Sequence, residues 1–172
     1  MRIAIYAGTF DPITQGHLSV IEAGSKAFDA LVVLIGVNPK KQPLFTIKER
    51  LGFINQATKH LENVSCDATD GIVVQYARQI GAQFLVRGIR DATDAEYETN
   101  LANINRSIAP EITTFFLCAD PKLAEVSSSR LKEMAGSGED GSGFCSSDVW
   151  RALQNRIAPR AVHLFKEVNH GL

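Results

Sequence analysis

The sequence predicts an α/β fold with five parallel strands, and three of its features support this prediction. Short apolar runs rich in β-branched residues alternate with segments of helical periodicity along most of the chain. The strand-like runs are apolar almost throughout, which is typical of parallel strands covered on both faces. Glycine or proline marks the ends of several segments. Together these features predict a Rossmann-like, doubly wound sheet with helices on both faces, right-handed crossovers and additional C-terminal helices.

The first strand leads into a turn suited to binding an anion. An apolar run over residues 3–7 is ended by Gly8, and Pro12 prevents its continuation. A helical pattern begins near Gly16, so unpaired backbone N–H groups and the positive end of the helix face one spot. His17, in the first helical turn, adds a side-chain donor at that spot. The alternative is an ordinary strand–helix turn with a solvated histidine.

Four more strands are predicted, the second of the chain being fully apolar and the third the weakest. They are placed at residues 30–37, 63–68, 83–86 and 113–118. The helices that follow them are placed at residues 46–60, 72–80, 93–108 and 128–134. Thr46 and Glu49 form a capping box at the first of these, and Gly81 closes the second. The third has an apolar face made of Tyr97, Leu101, Ile104 and Ile108.

The C-terminal part is predicted to remain within one domain that spans residues 1–172. Residues 136–143 are expected to form a flexible glycine/serine loop rather than a domain linker. The helical extension at 144–172 begins with a helix over 147–153 that Ser147 is expected to cap. Beyond it, apolar residues at helical spacing could cover the core or another subunit. His163 and His170 are interpreted as surface residues rather than ligands.

Composition is that of an ordinary globular domain. Its 172 residues are 45% hydrophobic and 22% charged, with a formal net charge of −1, which predicts neither a nucleic-acid partner nor a membrane surface. No apolar run approaches the roughly 18 residues of a membrane span. Cys66, Cys118 and Cys145 are widely spaced and odd in number, so we expect reduced thiols and no zinc site. Met1 leads directly into the first strand, so a signal peptide is not expected and the predicted compartment is the cytoplasm.

Polar residues follow each predicted strand and should meet at one edge of the sheet, because ligands of such sheets gather at the carboxyl ends of the strands. Several phosphates explain this set better than one does. The residues are Thr9 and His17 after the first strand, Lys40 and Lys41 after the second, residues 70–73 after the third, Arg87 and Arg90 after the fourth, and Ser127 to Ser129 after the fifth. Simpler alternatives are salt bridges of the arginines with Asp91 and Asp94, loop solubility for the lysines, and a helix cap for the serines.

Four motifs in register resemble the phosphopantetheine adenylyltransferase family of the nucleotidylyltransferase superfamily. The opening Gly-Thr-Phe-Asp-Pro-x-Thr-x-Gly-His element is at residues 8–17, and a Lys-x-Pro-Leu-Phe loop is at 41–45. Arg-Gly-Ile-Arg at 87–90 is followed by Glu-Tyr-Glu at 96–98, and Ser-Ser-Ser-x-x-Lys-Glu is at 127–133. The opening motif alone would indicate only the superfamily, whereas the four together, over residues 1–135, indicate the family.

The resemblance implies that ATP and 4′-phosphopantetheine react to give dephospho-coenzyme A and pyrophosphate, as the penultimate step of coenzyme A biosynthesis. It implies catalytic roles for His17, Lys41 and Arg90. It implies that the phosphopantetheine is bound by Thr9, Lys41, Val73 and Arg87. It also implies that ATP is bound by Thr9, Phe10, His17, Gly88, Ile89, Arg90, Glu98, Leu123, Ala124, Glu125, Val126, Ser127, Ser128 and Ser129.

The same resemblance implies Mg²⁺ bound with ATP, a homohexamer, and coenzyme A as a candidate feedback inhibitor. No carboxylate cluster in the sequence requires a dedicated metal site. Two departures from the family pattern are Ala7, where proline is usual, and residues 123–125, where aromatic residues are common. The alternatives are a nicotinate or nicotinamide mononucleotide adenylyltransferase, a glycerol-phosphate cytidylyltransferase, a non-catalytic nucleotide sensor, and a structural or RNA-binding domain.

Overall fold

The computed structural model describes residues 1–38, 40 and 42–168, and for residues 158–168 it describes the backbone alone. It confirms the predicted sheet of five parallel strands, in the spatial order β3-β2-β1-β4-β5. The strands are β1 (Ile3–Gly8), β2 (Ala30–Gly36), β3 (Val64–Thr69), β4 (Phe84–Ile89) and β5 (Thr113–Cys118). The helices are α1 (Gln15–Ala27), α2 (Ile47–Thr58), α3 (Val73–Ile80), α4 (Ala92–Ile108), α5 (Ser128–Ser137) and α6 (Ser147–Val168). Two short 3-10 segments lie at Pro121–Leu123 and Ser142–Phe144.

The first strand is the centre of the sheet. β1 pairs with β2 on one side and with β4 on the other, so Ile5 lies beside both Val32 and Leu85. The chain order reverses between β1 and β4, which opens a crevice outside their carboxyl ends. This crevice is where the sequence predicts that functional residues meet.

Both faces of the sheet are covered, as predicted. One core cluster lies under α1, α2, α5 and α6 and contains Phe10, Ile21, Leu131 and Trp150. The other lies under α3 and beside α4. Among the described residues, no helix has the length and apolar character needed to cross a membrane.

The fourth strand is longer than its predicted range of 83–86. Arg87, Gly88 and Ile89 continue the strand, because β5 offers them partners at Phe116, Leu117 and Cys118. A Cβ on Gly88 would lie 2.9 Å from a methyl group of Val20, so glycine lets α1 approach this strand closely. The arginine motif is therefore carried largely by rigid sheet rather than by a loop.

The apolar residues of α4 do not form a core face within this chain. Tyr97, Ile104 and Ile108 are 65%, 57% and 39% exposed, and Glu98 is the buried residue of the helix. The apolar spacing of α4 therefore marks a surface that a single chain leaves open.

The predicted loop at 136–143 is partly helical. α5 continues through Gly136 and Ser137 and ends at Gly138, whose φ of 80° is left-handed. Gly141 is buried, since a Cβ there would lie 2.7 Å from the Trp150 ring. The cap of α6 is Ser146 rather than the predicted Ser147, because the Ser146 hydroxyl accepts from the N–H of Val149 at 3.3 Å.

The C-terminal helix is continuous where two helical segments were predicted, because α6 runs from Ser147 to Val168. The side chain of His163 and the whole of His170 lie outside the described residues, so their interpretation as surface residues stays a prediction.

Candidate active site

A cleft of about 310 Å³ lies at the carboxyl ends of β1 and β4. The structure brings many of the predicted site residues together along its wall. They are Phe10, His17, Arg87, Gly88, Arg90, Glu98, Val126, Ser127, Ser128 and Ser129. Two cationic side chains, one imidazole and the N-terminus of α5 therefore face a single space, as expected for a site that binds several phosphates.

His17 is held as a neutral hydrogen-bond donor. Its Nδ1 accepts from the N–H of Thr14 at 3.1 Å, and the Thr14 hydroxyl accepts from the N–H of His17 at 3.3 Å, which completes the cap of α1. Burial, together with the charges of Arg90 and Arg87, lowers the pKa of His17 from 6.5 to about 4. Because Nδ1 is an acceptor, the proton of the neutral ring is on Nε2, the nitrogen left to donate to a ligand.

The Phe10 ring packs against the His17 ring. It is buried, 5.0 Å from the His17 ring and 5.3 Å from the Tyr6 ring, with an edge-to-face arrangement in both cases. A Cβ on Gly8 would lie 3.0 Å from the Phe10 ring, so glycine makes room for this packing. Phe10 itself has a φ of 47°, a left-handed conformation that the surrounding contacts must hold.

Arg87 is fixed by a buried carboxylate. Its Nε and Nη2 donate to the two oxygens of Glu98 at 2.6 and 2.7 Å, and its Nη1 donates to the carbonyl of Ala7 at 2.5 Å. Burial alone would lower the pKa of Arg87, but Glu98 raises it overall, so the guanidinium stays charged. Both oxygens of Glu98 are thus engaged by Arg87, and the implied contact of Glu98 with a nucleotide stays a prediction.

Arg90 forms an ion pair that the sequence offered as an alternative. Its Nε and Nη2 donate to Asp94 at 2.6 and 3.0 Å, while Asp91 caps α4 by accepting from the N–H of Asp94. The guanidinium of Arg90 lowers the pKa of Asp94. Arg90 still lines the cleft and its side chain is 36% exposed, so the pair orients the cation without removing it from a ligand's reach.

The three serines have different local tasks. The Ser127 hydroxyl caps α5 by accepting from the N–H of Arg130 at 3.0 Å, which is the simpler role considered above. The Ser128 hydroxyl donates to the carbonyl of Pro12 at 2.8 Å and joins α5 to the turn after β1. Among the described residues, the Ser129 hydroxyl has no hydrogen-bond partner, so it can serve a ligand in the cleft.

Several predicted site residues lie beside the cleft rather than in it. Thr9 lines a neighbouring cavity of about 670 Å³, and the carbonyl of Ile89 is used by the N–H of Ala119. Ala124 and Glu125 line a separate cavity of about 490 Å³, and Leu123 ends the preceding 3-10 segment.

An apolar groove of about 420 Å³ on the other face of the sheet contains Val73, as well as Leu101 and Ile104 of α4. The groove and the cleft share Ala7 and Arg87, so the groove opens beside the guanidinium. Lys41 lies outside the described residues, and its position relative to Arg87 stays a prediction.

The part of the chain that the structure describes holds no cluster of three or more His, Cys, Asp and Glu side chains that could bind a metal ion.

Comparison with known proteins decides the family. Residues 5–134 match the cytidylyltransferase-like family. The chain is 43% identical over 167 residues to the phosphopantetheine adenylyltransferase of Caldanaerobacter subterraneus subsp. tengcongensis, covering 97% of this chain and 99% of that protein. It is 45% identical over 157 residues to the phosphopantetheine adenylyltransferase of Levilactobacillus brevis, covering 91% and 98%.

This chain belongs to the phosphopantetheine adenylyltransferase family. A solved structure from Vibrio parahaemolyticus, provisionally assigned as a nicotinate-nucleotide adenylyltransferase, superimposes with a TM-score of 0.68 at 22% identity and covers 90% of this chain and 93% of that one. At that identity it supports the fold alone. The family that the four sequence motifs indicate is therefore confirmed. These motifs lie at residues 8–17, 41–45, 87–98 and 127–133.

One residue of the opening phosphopantetheine adenylyltransferase motif was given no role by the sequence. Asp11 is buried, and its carboxylate accepts from the N–H groups of Leu44 and Phe45 at 2.8 and 2.9 Å and from the ammonium of Lys132 at 2.6 Å. Burial alone would raise the pKa of Asp11, but Lys132 and the two N–H groups lower it overall. Asp11 therefore ties the turn after β1 to α5 and to the loop that carries Lys41.

A second anchor reaches the same loop from α6. Arg156 donates to the carbonyl of Leu44 at 2.7 Å and to Glu49 at 2.6 Å, and its guanidinium lies 5.0 Å from the centre of the Phe45 ring. In the sequence Arg156 is one charged residue of an amphipathic helix, which does not indicate a contact with Leu44, 112 residues away.

We expect Glu98→Gln to lower the free energy of unfolding by about 2 kcal/mol, because the amide replaces one of two charge-assisted acceptors with a donor. Urea unfolding measures the change. Glu96→Gln is the matched control, since Glu96 is exposed on the same helix and should change stability by less than about 0.5 kcal/mol. Equal losses for the two variants would mean that the pair with Arg87 does not stabilise the fold.

Proposed function

We propose that this protein transfers the adenylyl group of ATP to 4′-phosphopantetheine, giving dephospho-coenzyme A and pyrophosphate. Relatives named phosphopantetheine adenylyltransferase match nearly the whole chain, and this supports the activity. One observation carries it to the residues: a neutral imidazole with its Nε2 proton free, two guanidinium groups and a helix N-terminus share one cleft. Such a set of donors can bind the phosphate groups of two substrates side by side.

In the proposed reaction a phosphate oxygen of phosphopantetheine attacks the α-phosphorus of ATP. A bond forms between that oxygen and the α-phosphorus as the bond to the bridging oxygen of the β-phosphate breaks, and pyrophosphate leaves with the electron pair. The attacking oxygen is already ionised at neutral pH, so no general base is required. The protein aligns the two phosphates and stabilises the charge that spreads over the transferring group. His17 donates from Nε2 to the α-phosphate as its charge grows.

The other residues are proposed to divide between the two substrates. Thr9, Lys41 and Arg87 hold the phosphate of phosphopantetheine, and the groove lined by Val73 takes its arm. The leaving phosphates of ATP are held by Arg90 and by residues 127–129. The remaining nucleotide contacts are assigned to Phe10, to the backbone of Gly88 and Ile89, to Glu98, and to residues 123–126.

A pyrophosphate-release assay with purified protein and ATP tests the activity. We expect release with phosphopantetheine and none above background with nicotinate mononucleotide or glycerol phosphate. Release of pyrophosphate with nicotinate mononucleotide alone would favour a nicotinate mononucleotide adenylyltransferase. ATP binding without release for any of the three acceptors would indicate a nucleotide sensor.

Lys41 provides a test of how the substrates are assigned. We expect Lys41→Ala to raise the KM for phosphopantetheine about 10- to 100-fold, as for loss of a hydrogen bond to a charged group, with much less change in the KM for ATP. Lys40→Ala is the matched control, because Lys40 is its exposed neighbour in the same loop. Equal increases in both KM values would show that Lys41 does not belong to the phosphopantetheine site.

We propose that ATP enters as its magnesium complex, with the ion held by the phosphates of the nucleotide. The cytoplasm is the proposed compartment, and its support is that Cys66, Cys118 and Cys145 are all free thiols.

We also propose that the protein is a homo-oligomer, a hexamer by resemblance to its family. The exposed apolar residues of α4, Tyr97, Ile104 and Ile108, support this, because contiguous exposed apolar residues are typical of subunit contacts. The mass in solution from light scattering tests the subunit number.

Coenzyme A is proposed as a feedback inhibitor at the same cleft. It differs from the product, dephospho-coenzyme A, by one phosphate group, so it can use the same contacts. Competition between coenzyme A and the two substrates in initial-rate measurements tests this.

A further inference from the structure

The C-terminal helix reaches the loop that joins β2 to α2. One planar cation of α6, the guanidinium of Arg156, makes every part of this contact. It donates to the carbonyl of Leu44 at 2.7 Å and to the Glu49 carboxylate at 2.6 Å, and it lies over the ring of Phe45. Arg156 therefore connects α6 to the backbone of the loop, to the aromatic ring that ends it and to the first turn of α2.

The segment of α6 that carries Arg156 has a fixed position in the domain. Trp150 and Leu153 are buried in the core, and Ile157 packs against it. A Cβ on Gly136 of α5 would lie 3.5 Å from a methyl group of Ile157, so the two helices are in contact here. Because Arg156 lies between Leu153 and Ile157, the core determines where its guanidinium can reach.

The other described arginine of α6 has a different kind of partner. Arg151 is paired with Asp148 of its own helix, and its side chain is 70% exposed. Such an exposed pair contributes little to stability. The partners of Arg156 are 107 and 112 positions away in the chain, so its contacts determine how another element is placed.

The end of the loop is held from two directions. The N–H groups of Leu44 and Phe45 both donate to Asp11, and the carbonyl of Leu44 accepts from Arg156. Phe45 is 1% exposed. Asp11 belongs to the turn after β1, whereas Arg156 belongs to the C-terminal helix. The loop end is therefore fixed between two parts of the domain that are far apart in sequence.

The same loop forms a wall of the space beside the cleft. Gln42 and Pro43 line the cavity that also contains Thr9, and Lys41 directly precedes Gln42 in the chain. A shift of the loop end would move this wall. Arg156 is absent from the described residues that line the cavity or the cleft, so it can influence a ligand there through the loop but not by direct contact.

We propose that Arg156 is a positioning residue for phosphopantetheine, which holds the loop after β2 in the conformation that binds this substrate. The inference rests on the proposed function where it names the substrate. A loop that is already ordered loses less conformational freedom when a ligand binds, so the contacts of Arg156 should lower the KM for phosphopantetheine. ATP is assigned to the other side of the cleft, and its KM should depend little on Arg156.

Steady-state kinetics of Arg156→Met tests this role. We expect the KM for phosphopantetheine to rise at least about fivefold, with kcat and the KM for ATP unchanged within about twofold, because the variant loosens a loop and removes no contact with either substrate. Arg156→Lys should restore part of the affinity, since it keeps the charge but cannot contact Leu44, Glu49 and Phe45 together. Arg151→Met is the matched control on the same helix and should change neither KM.

The split between the two KM values separates positioning from a purely structural role. A purely structural contact would lower the urea midpoint of unfolding and leave the KM for phosphopantetheine unchanged, and that result would overturn the inference. An equal rise in both KM values would also overturn it.

Glu49→Gln provides a second test if Arg156→Met does not fold. It keeps an oxygen acceptor for the cap of α2 but removes the charge that pairs with Arg156. We expect the KM for phosphopantetheine to rise at least about twofold, as for the loss of a partly exposed ion pair, and the KM for ATP to stay unchanged. An unchanged KM for phosphopantetheine would count against Arg156 as well.

Hydrogen exchange of the loop amides tests the anchor without any substrate. The N–H groups of Leu44 and Phe45 should exchange at least about fivefold faster in Arg156→Met, whereas those of β1 should not change. Equal exchange rates in the two proteins would overturn the anchor. Faster exchange would support it even if the unaltered protein released no pyrophosphate with phosphopantetheine. Normal turnover with an unchanged KM in Arg156→Met would overturn the inference and leave the proposed function standing.

Discussion

We expect His17→Ala to lower kcat by about 10²- to 10³-fold, the cost of removing one preorganised donor to a developing negative charge. The KM for ATP should change by less than about threefold, because the contact strengthens mainly in the transition state. The structure gives the physical reason: the imidazole is neutral, and its free proton is on Nε2 because Nδ1 accepts from Thr14. Steady-state kinetics with both substrates measures the change.

His60 is the matched control for this variant. It is a surface histidine paired with Glu22, and its side chain is 51% exposed, so His60→Ala should leave kcat unchanged. An unchanged kcat for His17→Ala would remove His17 from the mechanism. An increase in the KM for ATP as large as the decrease in kcat would show that His17 also binds ATP in the ground state.

The pH dependence follows from the pKa of His17, which is about 4 in the folded protein and near 6.5 when unfolded. Between these values the unfolded state binds more protons, so this group makes stability rise with pH from 4 to 6.5 and lowers it on acidification. From about pH 5 upward the folded imidazole is mostly neutral. We therefore expect no inflection from His17 between pH 5 and 8 in the profile of kcat/KM, which reports the free enzyme. An inflection near 6.5 that vanishes in His17→Ala would mean that the imidazolium acts.

The strands and the edge at which the loops meet could be predicted from local patterns. Apolar runs, glycine breaks and the rule that parallel strands present their carboxyl ends together are enough to bring His17, Arg87 and Arg90 to one edge. The pair of Arg90 with Asp94 was among the alternatives that the sequence offered, but the partner of Arg87 could not be predicted. Glu98 is eleven residues from Arg87 on another element, and its choice over Asp91 and Asp94 depends on how α4 crosses the end of β4.

Contacts between distant residues leave no trace in a single sequence. Asp11 and Lys132 are 121 positions apart, so neither periodicity nor capping rules connect them. The end of β4 was misplaced because its length is set by pairing with β5 rather than by its own residues. The exposure of the apolar face of α4 could not be predicted either. Periodicity shows which residues share a helix face but not what covers that face.

The Asp11 carboxylate offers the largest expected effect on stability. We expect Asp11→Asn to lower the free energy of unfolding by about 3 kcal/mol, because the change leaves the Lys132 ammonium unpaired and turns one acceptor of backbone N–H groups into a donor. Urea unfolding at pH 7 measures it. Asp29→Asn is the matched control, since Asp29 also accepts from an N–H and an arginine but is exposed at the opposite end of the sheet, and it should cost much less than Asp11→Asn.

The stabilisation by Asp11 should also depend on pH, and the loss of Asp11 should also affect the binding of phosphopantetheine. The pKa of the folded carboxyl lies below its ordinary value of 3.8, so its stabilisation is fully present above that pH and is lost as the pH falls through the folded pKa. The loop that holds Leu44 and Phe45 also carries Lys41, so Asp11→Asn should raise the KM for phosphopantetheine more than the KM for ATP.

A double-mutant cycle with Lys132→Met separates the ion pair from the anchoring of the loop. If the pair alone matters, the two losses of stability will not add, and the change in KM will appear in both single variants. If the backbone contacts matter, the KM change will be confined to Asp11→Asn, because Lys132→Met leaves the carboxylate on Leu44 and Phe45. We expect the second result, since two of the three hydrogen bonds that Asp11 accepts come from the loop itself.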